Sequence, residues 1–344
     1  MVSALIKSSL RRMALVVLAT TSITACADSV VGNHAATDHA SVFDDLWTNV
    51  DLHYSFLEYK NIDWAALGAH YRPLAVAAKD DQEFARVIDQ MLRELRDPHV
   101  ALTPGGPSTT RRYVSRFEMT VSAFDAATTV NRYVTAAQTL AEARITYGML
   151  SPDVGYLRIS SFTGSGWDGE VDRALEALPA ARRLIIDLRG NHGGVSPLAA
   201  AVAGRFADRT RTFGYLRLRN GPGHGDFTDF EAETVTPTGH QFAGPVFVLT
   251  DRQVMSSAEQ FVLAMRTRPN TIVVGDTTAG ASGGPVVREL ANGWTYRLSE
   301  WIEYTADRRI YEDIGLAPDI VVAPTTGSTQ KDVVLERALA MARE

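Results

Sequence analysis

The sequence predicts an α/β fold, and three observations carry that prediction. Apolar strand-like runs recur late in the chain, RLIIDL at 183–188 and PVFVLT at 245–250, and each is followed by a helical stretch, at 197–206 and 256–265. Turns rich in glycine close these strands, Gly190-Asn191-His192-Gly193-Gly194 among them, where an α/β sheet gathers its functional residues. Before residue 97 the apolar spacing is helical instead, so a small helical unit precedes the α/β core. At roughly 150 residues per domain, 344 residues allow about two domains. With 45% hydrophobic and 22% charged residues the composition is that of a folded globular protein. The net charge of −6, with no basic run beyond the N-terminus, removes the electrostatic basis for a nucleic-acid partner. The single cysteine excludes an internal disulfide and a thiolate metal cluster. No metal or other cofactor is expected.

Residues 1–25 have a signal-peptide layout: Lys7, Arg11 and Arg12 precede an uncharged, mostly apolar stretch at 13–25, and no acid appears before Asp28. That stretch is too short for a bilayer of ~30 Å, which needs about 20 helical residues. Residues 26–40 are small and polar and read as a flexible tether, with His34 and His39 solvated on it. Residues 41–103 form the helical unit. Phe43, Leu46, Trp47, Val50, Tyr54 and Leu57 mark a first helix, 63–78 a second interrupted near Pro73, and Phe84, Val87, Ile88, Met91, Leu92 and Leu95 a third. Asp80 and Glu83 form a capping arrangement for that third helix. The unit ends in Asp97-Pro98-His99, where proline breaks the helix and a histidine stands on the turn. Residues 104–151 read as a connecting segment with short strands such as 132–135, too short for a further domain of ~100 residues. The α/β core spans 152–325, including a helix at 168–178 and strands at 271–275 and around Val286 and Trp294; residues 326–344 close the chain as a helix.

Two turns carry candidate chemistry. Ser256 opens a helix directly after a strand, where free backbone N–H groups and the positive end of the helix dipole stabilise an anion. The same spacing also describes a capping box, Ser256 with Glu259, on this fragment alone the preferred reading. The Gly190 to Gly194 turn frees N–H groups from side-chain cover and suits an oxyanion hole or a plain tight turn. A serine nucleophile needs a base. Of eight histidines, His34 and His39 lie on the tether, His53 and His70 in helical stretches, and His224 and His240 in Gly/Pro-rich loops. His99 and His192 remain, both on turns. Gly280-Ala281-Ser282-Gly283-Gly284 matches the Gly-x-Ser-x-Gly elbow of an esterase, but a strand-like run follows it where an elbow needs a helix, so the match is read as accidental.

The fragments together resemble the family of tail-specific or C-terminal-processing serine peptidases, over residues 42–322. The shared motifs, in order, are Asp97-Pro98-His99, Gly155-Tyr-Leu-Arg-Ile, Ile-Asp-Leu-Arg-Gly-Asn-x-Gly-Gly, Ser-Ser-Ala-Glu, Val-Val-Gly-x-Thr-x-Ala-Gly and Tyr-Glu-x-x-Gly-x-x-Pro-Asp ending at Asp319. The resemblance implies a core related to the Clp protease and crotonase folds. It implies Ser256 as nucleophile, with Ser257 N–H and Gly193 or Gly194 as oxyanion donors. One branch of the family draws its base from a lysine in a Gly-Lys-Gly turn, which here reads Gly280-Ala281-Ser282. The other, tricorn-core-like branch uses a histidine and a glutamate, matched by His99 and Glu312, with Pro98 where that pattern has a serine. No PDZ domain is implied. Without the resemblance, Glu312 reads as a surface carboxylate beside Arg308 and Arg309. Ile23-Thr24-Ala25-Cys26 resembles the lipobox of bacterial lipoproteins, which makes Cys26 a lipidation site and the membrane a partner through an N-terminal lipid anchor.

The expected function is therefore an exported, lipid-anchored serine peptidase of the cell envelope or periplasm. It would cleave unstructured or C-terminal segments of a polypeptide substrate through a Ser256 acyl-enzyme, with His99 as general base. The alternatives are an inactive relative that binds a peptide or hydrophobic ligand, and an esterase-type acyl hydrolase.

Overall fold

Aspartates start most of the helices. The computed structural model describes residues 37–105, 124–164, 168–323 and 331–344; the expected signal peptide and Cys26 lie outside the described residues. Helix α1 (His39–His53) is capped by Asp38, which accepts from Ser41 N–H at 3.1 Å, and α2 (Trp64–Val76) by Asp63, which accepts from Ala66 N–H at 2.9 Å. Asp80 caps α3 (Asp81–Arg93) through Glu83 N–H at 2.7 Å, while the Glu83 carboxylate reaches back to Lys79 N–H at 2.9 Å. Each such cap contributes about 1 kcal/mol by satisfying an N–H that the helix leaves open.

The chain continues through β1 (Ala101–Thr103), α4 (Ala126–Tyr133), β2 (Thr135–Leu140), β3 (Ile145–Ser151), β4 (Val154–Ile159), α5 (Asp168–Glu176), β5 (Arg183–Asp187) and α6 (Ser196–Ala203). Then come β6 (Arg211–Leu218), β7 (Glu231–Val235), β8 (Val246–Thr250), α7 (Ser257–Arg266), β9 (Thr271–Gly275), β10 (Gly283–Glu289), β11 (Thr295–Thr305), β12 (Ile320–Val321) and α8 (Val333–Met341). A seven-stranded sheet has the order β12-β9-β8-β5-β4-β3-β2, parallel from β12 to β4 and antiparallel beyond. A second, antiparallel sheet runs β1-β11-β6-β7, with β10 also paired to β11.

The apolar runs at 183–188 and 245–250 now have a physical reason. Side chains alternate between the two faces of a strand, and both faces of the parallel sheet are covered. Leu184, Ile186, Val246 and Val248 pack with Phe261 and Val262 of α7 and Val202 of α6. Ile185, Phe247 and Leu249 pack on the opposite face with Leu335 and Leu339 of α8. The N-terminal helices share a third core with the second sheet, in which Phe43, Leu46, Ile88 and Leu92 meet Tyr296, Leu298 and Ile302 of β11.

The structure departs from three local expectations. Helix α2 runs through Pro73, because the proline is exposed and the carbonyl left without its N–H partner can face water. Residues 132 and 133 end a helix instead of starting a strand. Tertiary contact decides this: Thr129 Oγ1 donates to Asp332 at 2.8 Å and Tyr133 OH to Glu336 at 2.7 Å. His39, expected on a solvated tether, belongs to α1, stacked on Phe84 at a ring separation of 4.3 Å and paired with Asp81 at 3.0 Å. No helix among the described residues is long and apolar enough to cross a membrane.

One ionic network joins the end of β5 to the last helix. The buried Arg189 guanidinium donates to Asp187 at 2.9 and 2.7 Å and to both oxygens of Asp332 at 2.8 Å, and Asp332 also caps α8 through Leu335 N–H at 3.1 Å. Replacing Asp332 by alanine removes the cap and leaves a buried guanidinium half-paired. A loss of about 3–5 kcal/mol is expected, read as a lower urea midpoint at unchanged slope.

Candidate active site

Ser256 stands between β8 and α7 with φ 57° and ψ −131°, a left-handed φ that a residue with a Cβ seldom adopts and that costs on the order of 1–3 kcal/mol. Its surroundings over-determine it. Met255 N–H donates to Asn191 O at 3.2 Å, and Ala279 N–H to Val254 O at 2.8 Å, so the turn is clamped between the glycine turn after β5 and the loop after β9. Glu259 supplies the strongest restraint. Its fully buried carboxylate makes the reciprocal contact of the expected capping box, accepting from Ser256 N–H at 3.0 Å. It also accepts from Thr278 OH at 2.5 Å, Gly280 N–H at 2.9 Å and Ala281 N–H at 2.9 Å. Burial pushes its carboxyl up to about 7 against the pull of these donors.

The Gly193-Gly194 turn packs directly on the serine. A Cβ at Gly193, where φ is +83°, would lie 2.9 Å from Ser256 Cβ, 3.0 Å from Ser257 N and 2.7 Å from Met255 O. One at Gly194 would strike Phe162 O. Only glycine allows this approach. The two amides differ in a way the sequence leaves open. Gly193 N–H is taken by the buried Asn191 Oδ1 at 2.8 Å, whose amide nitrogen in turn donates to Ile159 O at 3.0 Å. Among the described residues, no hydrogen bond engages the N–H of Gly194 or of Ser257, the first residue of α7. Those two amides are the donors available to a developing oxyanion. His192, the other histidine on a turn, is exposed.

His99 is buried at the end of the helical unit. Its main-chain N–H donates to Asp97 Oδ1 at 2.8 Å, and its ring Nδ1 lies 3.7 Å from the same oxygen. Neither Ser256 nor Glu312 is hydrogen-bonded to it among the described residues. Glu312, which unaided sequence reading leaves on the surface, has no exposure at all. One oxygen accepts from Lys60 Nζ at 2.8 Å; the other accepts from Ser282 N–H at 2.7 Å and Ser282 OH at 3.0 Å. Burial lifts its carboxyl to about 8, with the Lys60 charge opposing. Lys60 Nζ donates also to Arg96 O at 3.0 Å, one turn before His99.

Consecutive amides therefore join the two buried carboxylates, Ala281 N–H to Glu259 and Ser282 N–H to Glu312. Ser282 is buried, its hydroxyl is committed to Glu312, and strand β10 follows it, so the strand-turn-helix context of an elbow is absent. Lys60 and Ser299 are site neighbours that sequence reasoning missed, and Asp97 stood there only as part of the Asp97-Pro98-His99 motif. Lys60 is separated from Glu312 by 252 positions and Asp97 from Ser299 by 202, and no periodic pattern announces either pair.

The profile of Peptidase family S41 matches residues 153–322, and that of the Tricorn protease C1 domain matches residues 35–93. The chain is similar to the carboxy-terminal processing protease CtpA of Bacillus subtilis (strain 168), 26% identical over 176 residues, which cover 50% of this chain and 35% of that protein. A carboxy-terminal-processing protease of Bartonella bacilliformis is 24% identical over 176 residues, 49% of this chain and 39% of its own. The chain thus spans well under half the length of these two relatives. Among solved structures, a candidate peptidase from Parabacteroides merdae superposes with a TM-score of 0.79 at 28% identity, covering 89% of this chain and 97% of that one. The fold is the Clp protease and crotonase type that the resemblance implies.

Glu259→Ala would strand the N–H groups of Ser256, Gly280 and Ala281 in a buried space. A stability loss of more than about 3 kcal/mol is expected in urea denaturation, far beyond the ~1 kcal/mol of a lost helix cap.

Proposed function

We propose, from the membership of residues 153–322 in peptidase family S41, that this chain is a serine peptidase acting through an acyl-enzyme on Ser256. The observation that carries the reading is the strained Ser256 backbone set beside two uncommitted amides, Ser257 and Gly194, with Gly193 close enough to touch its Cβ. Ser256 Oγ attacks the peptide carbonyl, and the carbonyl oxygen takes up negative charge toward those amides. His99 accepts the hydroxyl proton and returns it to the leaving amine as the C–N bond breaks. Glu312 supports the site at one remove. Its ties to Lys60 and Ser282 brace the loop that also holds Glu259, and so the base of α7.

The substrate class is a polypeptide, with cleavage in unstructured or C-terminal segments. The match to the Tricorn protease C1 domain, which ends at residue 93 before His99, and the lack of a lysine in the 280–282 turn support a histidine of the N-terminal unit as base. Export, with a lipid anchor on Cys26 and a place in the cell envelope or periplasm, belongs to the same reading and rests on the sequence of residues 1–26.

A fluorophosphonate probe is expected to label the wild-type protein on Ser256 and to leave Ser256→Ala unlabelled, with His99→Ala labelled at least about 100-fold more slowly. Absence of label on the wild type, or undiminished label on Ser256→Ala, overturns the reading. Peptide and ester substrates compared on one preparation separate peptidase from esterase. Intact-mass analysis of the mature protein is expected to find acylated Cys26; an unmodified thiol at that position refutes the anchor.

A further inference from the structure

We infer that Asp97 is the positioning residue of the proposed base, holding the His99 imidazole in the tautomer and orientation that general-base work needs. The inference rests on the Ser256–His99 reading and assigns to Asp97 the task that the family resemblance gives to Glu312.

Glu312 is bonded elsewhere: Lys60 donates to one of its oxygens, and the amide and hydroxyl of Ser282 donate to the other. Asp97 is in the opposite condition. It is buried to 1% exposure, and among the described residues the one cationic or imidazole group within ion-pairing distance of it is His99, at 3.7 Å from Nδ1. Its carboxylate is also held still. Oδ1 accepts the His99 main-chain N–H at 2.8 Å, and Oδ2 accepts the hydroxyl of Ser299, itself without exposure on β11, at 2.8 Å. Val100 N–H to Asp97 O, 3.1 Å, closes the turn around Pro98, whose ring fixes φ between the carboxylate and the imidazole. A residue two positions from its target thus takes the place of a serine relay that Pro98 cannot provide.

In the proposed cycle the proton balance is simple. Nδ1 keeps its hydrogen and donates toward Asp97 Oδ1, which leaves Nε2 with the lone pair that removes the Ser256 hydroxyl proton as the Oγ–C bond forms. The imidazolium then carries its positive charge beside the Asp97 carboxylate, and Nε2 gives its proton to the departing amine. Asp97 itself stays ionised throughout. At 3.7 Å the Nδ1–Oδ1 contact is an ion-pair contact and not a formed hydrogen bond, and the proposed step requires it to shorten. Other titratable groups interact with this corner: Lys60, Glu312 and Asp313, with Lys60 3.4 Å from Asp313 and 2.8 Å from Glu312, and the Tyr54 hydroxyl, which faces Asp97 and is held on Leu95 O at 3.2 Å.

Nitrogen-15 histidine NMR tests the coupling without requiring turnover. In Ser256→Ala protein, with the His99 signals assigned by their loss in His99→Gln, the added change Asp97→Asn is expected to lower the His99 pKa by about one unit or more and to shift the ring away from the Nδ1–H tautomer. In the active protein the same change is expected to lower kcat on the order of 10²–10⁴-fold, with KM little altered and the acid limb of the pH–rate profile moved down by the same shift; Asp97→Glu recovers part of both. A folded Asp97→Asn protein whose His99 titration and acid limb are unmoved overturns the proposal, as does an acid limb that moves only in Glu312→Gln. If Asp97→Asn does not fold, Ser299→Ala decides, since it keeps the charge and frees the carboxylate: unchanged His99 ring-nitrogen shifts there overturn the assignment. Failure of the peptidase reading appears elsewhere, as a wild-type protein that takes no fluorophosphonate label, while the NMR titration still reports on Asp97.

Discussion

A single buried carboxylate, that of Glu259, holds the candidate site in shape. It gathers the N–H of the strained Ser256, the hydroxyl of Thr278 and the amides of Gly280 and Ala281. Backbone strain of this kind persists only where the surroundings leave the chain no cheaper arrangement. Glu259 meets that condition by charging every alternative with unpaired, buried N–H groups. The capping box is thus one part of a larger role, in which the first turn of α7 fixes the nucleophile candidate to a loop some twenty residues further on.

The second constraint is the contact between the N-terminal helices and the rest of the chain. The proposed base sits on one side of it and the proposed nucleophile on the other. Strand β11 joins them physically: Leu298 and Ile302 lie in the core of the helical unit, Ser299 holds Asp97, and the strand pairs with β10, which begins at the Ser282 loop. From there the alternation of Ala281 N–H to Glu259 and Ser282 N–H to Glu312 ties both carboxylates to one short stretch of backbone. Neither the helices nor the parallel sheet alone contains all the groups of the proposed chemistry.

Much of this was legible in the sequence, and for reasons that physics supplies. RLIIDL and PVFVLT read as buried strands because a strand covered on both faces has no polar side. Ser256 was a candidate because a serine between a strand and a helix meets open amides, though only the family motifs raised it above a plain cap, and the Gly190 to Gly194 turn was one because its glycines free backbone N–H groups from side-chain cover. What the sequence hid were relations between distant residues. Nothing near Glu312 reveals that Lys60 will neutralise it, and nothing near Asp97 reveals Ser299. Pro73 inside a helix, and a helix at 126–133 that takes the first two residues of the strand expected at 132–135, depended on which surface faced water and which faced α8. Asp97 was visible as part of a motif, yet its proposed partnership with the histidine two residues on emerges only once the structure sets its carboxylate beside the ring and shows Glu312 bonded to Lys60 and Ser282.

The Arg189 network has a consequence for the order in which the molecule can be completed. Asp332 follows Arg189 by 143 residues, and it is the second of the two carboxylates that neutralise a guanidinium buried immediately before the Gly190 turn. During synthesis the strand and its arginine emerge long before that partner exists. Until it arrives, the guanidinium beside the turn bearing Asn191, Gly193 and Gly194 has Asp187 as its carboxylate partner among the described residues. On its Arg189 side the turn is thus completed by a helix distant in sequence, while Asn191 holds it locally.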